Sequence, residues 1–380
     1  MDIFGSFDFV QYWAASQLLW SGHDPYDPQL TLALQCAQGL HCAYPRITYT
    51  PPWLWLIMSP VLLLPFAPAA KVWTNVTFAL VLVSGGLIAW AFKCRPGAAV
   101  LTVLATLISF PLIINLVLGQ IAALLLFGAA LLYSGRVRGY PALEAAGLII
   151  LSAKPHLFIA LGAALLAADL RQRQCAWAVW ALVLLSPFVC LSEWLAPGAS
   201  LDWLGHLLMP KTDQGVVAAT AWWTGAPAST LALQLSREHA AWPKWPLIVF
   251  PLFGSFLSAV VGWRVVDRDR WLSAIPLVLC LSVTTAPFLW FSDYLVLSLA
   301  QGAAIAHALA LGRRTRAVTL FVVGAAFHVW VQQIAYRYTD EFQLHSMFWF
   351  PLGILGLWYL AVAGPTQAVE SLPPTCAPRT

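Results

Sequence analysis

Charged residues are scarce in this chain, and that scarcity excludes several classes of protein. Asp, Glu, Lys and Arg together make up 9% of the 380 residues, well below the roughly 25% of a soluble domain. An ordinary soluble domain is therefore excluded. The formal net charge of +4 is too small and too dispersed for a nucleic-acid-binding surface. No nucleic acid is expected among the partners.

The motifs of several enzyme classes are missing as well. The histidines show neither HExxH nor HxH spacing, and the chain has no G-x-G-x-x-G, P-loop or G-x-S-x-G motif. We therefore expect no metal ion and no cofactor. Cysteines number only seven. Cys36 and Cys42 share one polar segment, so they form either a disulfide in an oxidising compartment or two free thiols.

Apolar residues, by contrast, make up 60% of the chain, and 20 tryptophans suit two membrane–water interfaces. Twelve of the Lys and Arg residues fall in short polar breaks, which the positive-inside rule assigns to the cytoplasm. These breaks are Lys93/Arg95, Arg136/Arg138, Arg171/Arg173, Arg264/Arg268/Arg270 and Arg313/Arg314/Arg316. Apolar spans that alternate across the membrane are predicted at about 71–92, 98–114, 119–134, 140–153, 157–168, 175–191, 246–263, 271–288, 294–311, 317–334 and 347–363.

These spans predict an all-α integral membrane protein, a polytopic helical bundle with about 10–12 membrane segments. The predicted organisation is an extracytoplasmic first loop over 1–70, a transmembrane domain over 71–363 and a disordered cytoplasmic tail over 364–380. Residues 192–245 form an extracytoplasmic loop within the transmembrane domain. The proline-rich apolar stretch 53–66 is expected to lie along the interface or to re-enter, since one more crossing would invert every later Arg cluster.

Polar residues gather in the turns that this topology places outside. Lys154 lies in the turn 154–156, and each flanking leg spans roughly 24 Å at ~1.5 Å per residue. Its ammonium either snorkels to the outer headgroups or binds a lipid phosphate or pyrophosphate. Asn115 and Gln120 belong to another outside turn, where amides serve structure or function. Asp293, beside Tyr294, is an isolated carboxylate between two apolar spans, with both readings open.

The first loop contributes the aspartate Asp8, a candidate catalytic base at the membrane surface, although a solvated polar side chain is the alternative. Its neighbourhood carries a series of short motifs. The pattern Asp-Phe-x-x-Tyr-x-Ala-Ala begins at Asp8 and is followed by Gly-x-Asp-Pro-Tyr-Asp, which contains Asp24, and by Tyr-x-Pro-Pro at Tyr49. Later motifs are Leu118-Gly119-Gln120, Ala153-Lys154-Pro155 and Ala286-Pro287-Phe288, which leads into Asp293-Tyr294-Leu295.

In their order and spacing these motifs resemble glycosyltransferase family 87, of the GT-C superfamily, over about residues 7–310. The resemblance implies a GT-C-like bundle, a polyprenyl-phosphate-linked sugar donor and a glycolipid or glycan acceptor among the membrane lipids. It further implies inverting transfer of a hexose, with mannose the usual sugar, at the outer face of a bacterial inner membrane. Asp8 is then the general base. Lys154 and His156 bind the lipid phosphate, and sugar or acceptor contacts fall to Gln120, Asn115, Asp293, Tyr294, Asp24 and Tyr49.

One departure from the family pattern and one alternative function accompany this interpretation. The family places a complete transmembrane helix before the first-loop aspartate, so we expect such a helix to precede Asp8 in the native protein. The alternative function is a transporter or flippase of lipid-linked saccharides. Transporters tend to contain inverted repeats, and none is convincing here. The outside location of the polar residues suits one-sided chemistry better than alternating access.

Overall fold

The structure is a computed structural model, and it describes residues 8–39, 45–173, 175–208, 246–287, 289–337 and 342–362. Four predictions therefore fall partly or wholly outside the described residues. They are the Cys36–Cys42 disulfide, through Cys42, the tail over 364–380, most of the loop over 192–245, and residues 1–7 and 40–44 of the first loop.

The described residues are helical and contain no β-strand, which confirms the all-α prediction. The first half of the chain contains α1 (Phe9–Trp20), α2 (Pro28–Ala37), α3 (Pro52–Leu62), α4 (Phe66–Ala91), α5 (Pro96–Leu107), α6 (Phe110–Leu118), α7 (Ala122–Arg138) and α8 (Pro141–Leu151). The second half contains α9 (Ile159–Gln172), α10 (Ala176–Leu195), α11 (Ala199–Leu208), α12 (Pro246–Arg264), α13 (Trp271–Thr285), α14 (Ser298–Ala310), α15 (Arg314–Arg337) and α16 (Phe342–Val362). Short 3₁₀ turns occupy Pro155–Leu157, Arg268–Arg270 and Phe291–Leu297.

Each predicted span overlaps a helix, and one span is broken. The predicted span 98–114 is divided into α5 and α6, whose axes differ by 59°. At the break Ile108 leaves the helical conformation with a ψ of 76°, and Ser109 is extended. Pro111 in the first turn of α6 lacks an N–H, which suits a helix start. His328 accepts a hydrogen bond at Nδ1 from the N–H of Phe110, 3.3 Å away, so one of the donors freed by the break is occupied.

The chain is a polytopic helical membrane protein, but many of its helices are short. Four helices of the described residues are long and apolar enough to cross a membrane, or five when the bent pair α5–α6 counts as one span. The predicted 10–12 membrane segments exceed that number. Helices such as α8, with 11 residues, reach only about 16 Å at ~1.5 Å per residue, about half of a ~30 Å hydrocarbon core. The predicted spans 140–153 and 157–168 are themselves shorter than the ~20 residues that a perpendicular crossing needs.

Helices α7 and α8 pack closely through small residues. A Cβ atom at Gly147 would lie 2.5 Å from the carbonyl oxygen of Gly128 and 2.5 Å from the backbone nitrogen of Leu132. Only glycine allows the two backbones this approach, as small residues do at other membrane helix interfaces. The close pair fixes the position of α7 relative to α8.

The helices α7, α8 and α9 run back and forth, so their connections collect at two ends of the bundle. Gln120 precedes α7 and Lys154 follows α8, and these residues lie at one end. Arg136 in the last turn of α7 lies at the other end, where it contacts Glu144 of α8 and Asp169 of α9. We refer to these as the Gln120 end and the Arg136 end of the bundle.

The first-loop helices α1 to α3 cover the Gln120 end. Gln17 of α1 donates to the carbonyl of Leu62 of α3, 2.8 Å away, and Trp13 donates to that of Leu64, 3.0 Å away, so these bonds hold α1 to α3 and the turn after it. Trp53 of α3 donates to the hydroxyl of Ser152, 3.1 Å away, which joins α3 to the bundle at the end of α8. The helix α3, within the stretch expected to be interfacial or re-entrant, buries Leu54 and Trp55 completely inside the protein. The apolar residues of this stretch therefore serve largely to attach the first loop.

Candidate functional site

Asp8 lies at the start of α1, where two features hold it against the bundle. Its backbone N–H donates to the carbonyl of Leu118, 2.7 Å away. Gly119 has a left-handed φ of +72°, which turns the chain sharply out of α6 and leaves that carbonyl exposed to Asp8. The ring of the next residue, Phe9, is fully buried and stacks on Trp73 with centroids 5.9 Å apart.

The side chain of Asp8 faces the bundle instead of capping its own helix. Gln120 donates from Nε2 to Oδ2 of Asp8 over 2.7 Å, and Tyr12 donates its hydroxyl to Oε1 of Gln120 over 2.8 Å. The Tyr12 contact fixes which end of the Gln120 amide faces the carboxylate. Because the Asp8 side chain keeps 17% of its surface exposed, the carboxylate is held in place and still reachable.

Arg46 approaches the other oxygen of Asp8. Its Nη1 atom lies 3.6 Å from Oδ1, and 26% of the Arg46 side chain is exposed. This separation is longer than a normal N–H···O hydrogen bond. The arginine supplies a positive charge beside the carboxylate without closing it off.

Lys154 and Asp293 form a second ion pair at the same end. The Nζ atom of Lys154 donates to Oδ1 of Asp293 over 2.7 Å, and the other oxygen, Oδ2, accepts from the N–H of Trp290 at 3.0 Å. Asp293 is 1% exposed, whereas the Lys154 side chain is 11% exposed. Asp293 therefore holds the Lys154 ammonium from the buried side. The ammonium has three N–H groups, and two of them remain for other acceptors.

The two ion pairs are close enough to act on each other electrostatically. Burial raises the pKa of Asp8 above its ordinary value, while the hydrogen bond from Gln120 and the charges of Arg46 and Lys154 oppose that rise. Burial also raises the pKa of Tyr12, and the negative charges of Asp8 and Asp293 add to the effect. We call Asp8, Tyr12, Arg46, Gln120, Lys154 and Asp293 the Asp8 cluster. Its two carboxylates and two cations sum to zero charge.

His156 lies two residues after Lys154, in the 3₁₀ turn. Burial, and then the charge of Lys154, lowers the pKa of His156 to about 3. The imidazole is consequently neutral at physiological pH. It carries no positive charge for a phosphate, and both of its ring nitrogens are buried.

Two predicted sugar-binding residues are buried in packing positions. Asn115 is fully buried and accepts a hydrogen bond at Oδ1 from the N–H of Ala122, 3.0 Å away, so it satisfies a free donor at the start of α7. Tyr294 is also fully buried, with its ring 5.2 Å from that of Phe350. Both residues lie beside the Asp8 cluster in sequence and support it from within the bundle.

Asp24 and Tyr49 occupy the first loop. Asp24 is exposed and accepts from the N–H of Tyr26 over 2.8 Å, which closes a local turn. The side chain of Tyr49 is 39% exposed, and its carbonyl accepts a hydrogen bond from Nε1 of Trp203, 3.0 Å away. These contacts of Asp24 and Tyr49 lie within the first loop and toward α11. Cys36 is exposed.

The structure adds two members that the sequence patterns did not single out, Tyr12 and Arg46. Tyr12 lies within the Asp8 motif, one helical turn after Asp8, so its spacing was a usable signal. Arg46 lies in the segment before Tyr49, and no local pattern marks it. Among the described residues no group of three His, Cys, Asp or Glu side chains is arranged to hold a metal ion.

Comparison with known proteins gives the family of the chain. The model of glycosyltransferase family 87 matches residues 48–292, a range that includes Gln120 and Lys154 but ends one residue before Asp293 and excludes Asp8. No curated protein and no solved structure matches the chain. The matched range covers well over half of the sequence. The chain belongs to glycosyltransferase family 87 and is a membrane glycosyltransferase.

Proposed function

We propose that this enzyme moves a hexose, with mannose the first sugar to test, from a polyprenyl-phosphate donor to a hydroxyl of a glycolipid or glycan. The reaction would take place at the extracytoplasmic face of a bacterial inner membrane, with inversion at the anomeric carbon. Family membership supports glycosyl transfer. The positive-inside distribution of Arg and Lys supports the outer location of the Asp8 cluster.

Asp8 is the proposed general base. The acceptor hydroxyl transfers its proton to the carboxylate as its oxygen bonds to the anomeric carbon. The bond between that carbon and the phosphate oxygen breaks, and its electron pair leaves with polyprenyl phosphate. Because Gln120 and Arg46 contact Asp8 from two sides, the carboxylate needs little reorganisation to accept the proton.

Lys154 is the proposed partner of the leaving phosphate. The phosphate gains negative charge as the bond breaks, and a cation already in position stabilises that charge. Asp293 holds the Lys154 ammonium at 2.7 Å and thereby orients its remaining N–H groups. The neutral His156 brings no charge to the phosphate, and its ring nitrogens are buried. Among the other candidates, the exposed residues Asp24 and Tyr49 would contact sugar hydroxyls. Gln120 is 2% exposed and would act through Asp8.

One observation gives this proposal its strongest support. A partly exposed carboxylate, held by an amide, lies within electrostatic reach of an ammonium contributed by a distant part of the chain. A base and a cation for the leaving group are the two groups that transfer from a lipid phosphate requires. Their placement at a single end of the bundle favours a one-sided reaction.

The test supplies purified protein with a panel of polyprenyl-phosphate sugars and with glycolipid and glycan acceptors. We expect transfer with at least one donor and a loss of about 10²–10⁴ in kcat/KM for Asp8→Asn, the usual contribution of a general base. Asp267→Asn is the matched control, since Asp267 is largely exposed and pairs only loosely with Arg270 at 3.7 Å. Undiminished transfer by Asp8→Asn would refute the base assignment.

The same preparation tests the transporter alternative. Liposomes with a fluorescent lipid-linked saccharide report flipping directly. Flipping without transfer from any donor in the panel would favour the transporter over the enzyme.

A further inference from the structure

Gln35 contacts the backbone of Arg46 in a way that bears on Asp8. The amide of Gln35 donates from Nε2 to the carbonyl of Arg46 over 2.8 Å. Its Oε1 atom accepts from the N–H of the same residue over 3.0 Å. A side-chain amide that contacts both the N–H and the C=O of one residue replaces the pair of hydrogen bonds that a neighbouring strand would make.

The location of Gln35 makes this clamp rigid. Gln35 is fully buried in the last turn of α2. The first turn of α2 is capped by Asp27, whose carboxylate accepts from the N–H groups of Gln29 and Leu30 at 2.8 and 2.9 Å. Tyr26, just before that cap, donates its hydroxyl to the carbonyl of Thr50 over 2.8 Å. The segment 45–50 is therefore attached to the start of α2 at one place and to its end at another.

We propose that Gln35 is a positioning residue for Asp8: by clamping the backbone of Arg46, it keeps the guanidinium beside Oδ1 of the carboxylate. This inference rests on the proposed function, in which Asp8 is the base. Each oxygen of Asp8 is then positioned by a glutamine. Gln120 donates to Oδ2 directly, and Gln35 acts on Oδ1 indirectly, through Arg46.

The consequence for Asp8 is electrostatic. The polar and charged groups around the carboxylate are Arg46 from the first loop, Gln120 and Tyr12 from the bundle and α1, and Lys154, which is itself paired with Asp293. Burial raises the pKa of Asp8, and the nearby charge of Arg46 lowers it. An Arg46 side chain released from its clamp spends less time at Oδ1, so the carboxylate binds its proton more readily and is less often available as a base.

The experiment measures the protonation of Asp8 without relying on catalysis. Full-length protein in detergent is treated over a range of pH with a water-soluble carbodiimide and glycine ethyl ester, which modify protonated carboxyl groups. Peptide mass spectrometry then gives the pH at which modification of Asp8 is half complete. We expect this midpoint to move to higher pH in Arg46→Met and, by a smaller amount, in Gln35→Leu. Gln35→Asn, with the amide one methylene shorter, is a second variant in case Gln35→Leu does not fold.

Two comparisons make the result specific to the clamp. Gln172→Leu is the matched control, because Gln172 donates to the backbone carbonyl of Val265 over 2.8 Å near the Arg136 end. Its midpoint should equal that of the wild type. The double variant Gln35→Leu/Arg46→Met should match Arg46→Met alone, since two residues that act through one contact are not additive.

The outcomes separate this inference from the proposed function. An unchanged midpoint in folded Gln35→Leu, or a double variant whose shift is the sum of the two single shifts, overturns the role of Gln35. If the midpoints shift as expected but glycosyl transfer survives in Asp8→Asn, the role of Gln35 stands and the assignment of Asp8 as the base is refuted.

Discussion

Two charged clusters lie near the opposite ends of α7, and they differ in how completely their hydrogen-bonding groups are occupied. At the Arg136 end, the guanidinium donates to Glu144 over 2.7 Å and to Asp169, and Trp177 donates to the second oxygen of Asp169 over 2.6 Å. The ring of Trp271 lies 4.9 Å from the same guanidinium. Arg136, Glu144 and Asp169 are each no more than 7% exposed.

The Asp8 cluster is built from the same kinds of side chains but is left open. Arg46 and Asp8 are 3.6 Å apart and partly exposed, and Lys154 has N–H groups that Asp293 does not use. The difference indicates how a buried charge in a membrane protein can be interpreted. A charge that is buried between two partners connects helices, whereas a charge that is partly exposed and held on one side is able to meet a substrate.

The largest effect is expected at the Arg136 end of the bundle. Arg136→Met removes the shared partner of two buried carboxylates, so we expect a loss of about 3–5 kcal/mol in the free energy of unfolding. Transfer per folded molecule should be unchanged. Unfolding in a denaturing detergent, followed by tryptophan fluorescence, measures the loss. A variant as stable as the wild type would remove the contrast between the two ends.

A second prediction separates stability from chemistry at Lys154. Lys154→Met leaves the buried carboxylate of Asp293 without its ammonium, at a cost of about 3 kcal/mol, and also lowers kcat by about 10²–10³. Adding Asp293→Asn should restore most of the stability and none of the activity. Lys71→Met, at an exposed lysine of α4, is the control. Recovery of transfer in the double variant would show that Lys154 serves the fold alone.

The third prediction concerns the packing that separates the two clusters. Gly147→Ala places a Cβ 2.5 Å from backbone atoms of α7, and overpacking of this kind costs about 1–3 kcal/mol. Gly162→Ala is a matched change in α9, since a Cβ there meets no atom within 4 Å. That variant should be neutral or more stable by about 0.5–1 kcal/mol. Equal stability of the two variants in the unfolding assay would contradict the close approach of α7 and α8.

The smallest effect is a pH dependence of the transfer activity, and it concerns the Asp8 cluster. Asp8 must be ionised to accept a proton, so activity falls as pH drops through its pKa. Because burial raises that pKa in the folded protein, the acid limb of kcat/KM should lie above the ordinary aspartate value of 3.8. A pH–rate profile between about 4 and 9 measures it. An acid limb at or below the ordinary value would contradict the buried placement of Asp8.

Much of the helical architecture was predictable from the sequence. The predicted span 119–134 corresponds to α7, and the span 246–263 corresponds to α12. Apolar runs bounded by Arg residues indicate these helices, because apolar residues lie inside the membrane and charged residues lie outside it. The position of the bend after Leu107 was not predicted, although Ser109 and Pro111 are a usable signal, since a proline inside a span ends or kinks the helix.

The site was predictable only in part. Asp8, Gln120 and Lys154 were singled out from motifs and from the turns in which they lie. Glu144 falls inside the predicted span 140–153, eight residues after Arg136, and a carboxylate within a span usually has a partner. That signal was sufficient to anticipate the Arg136 cluster.

The sequence by itself determined that the protein is a helical membrane protein and that its polar turns fall into two sets, since both follow from the cost of placing charge in hydrocarbon. Only the tertiary structure decided which polar groups meet. The approach of Arg46 to Asp8 and of Asp293 to Lys154 joins residues that are far apart in the chain. No periodicity records such contacts, because they depend on how helices pack in three dimensions.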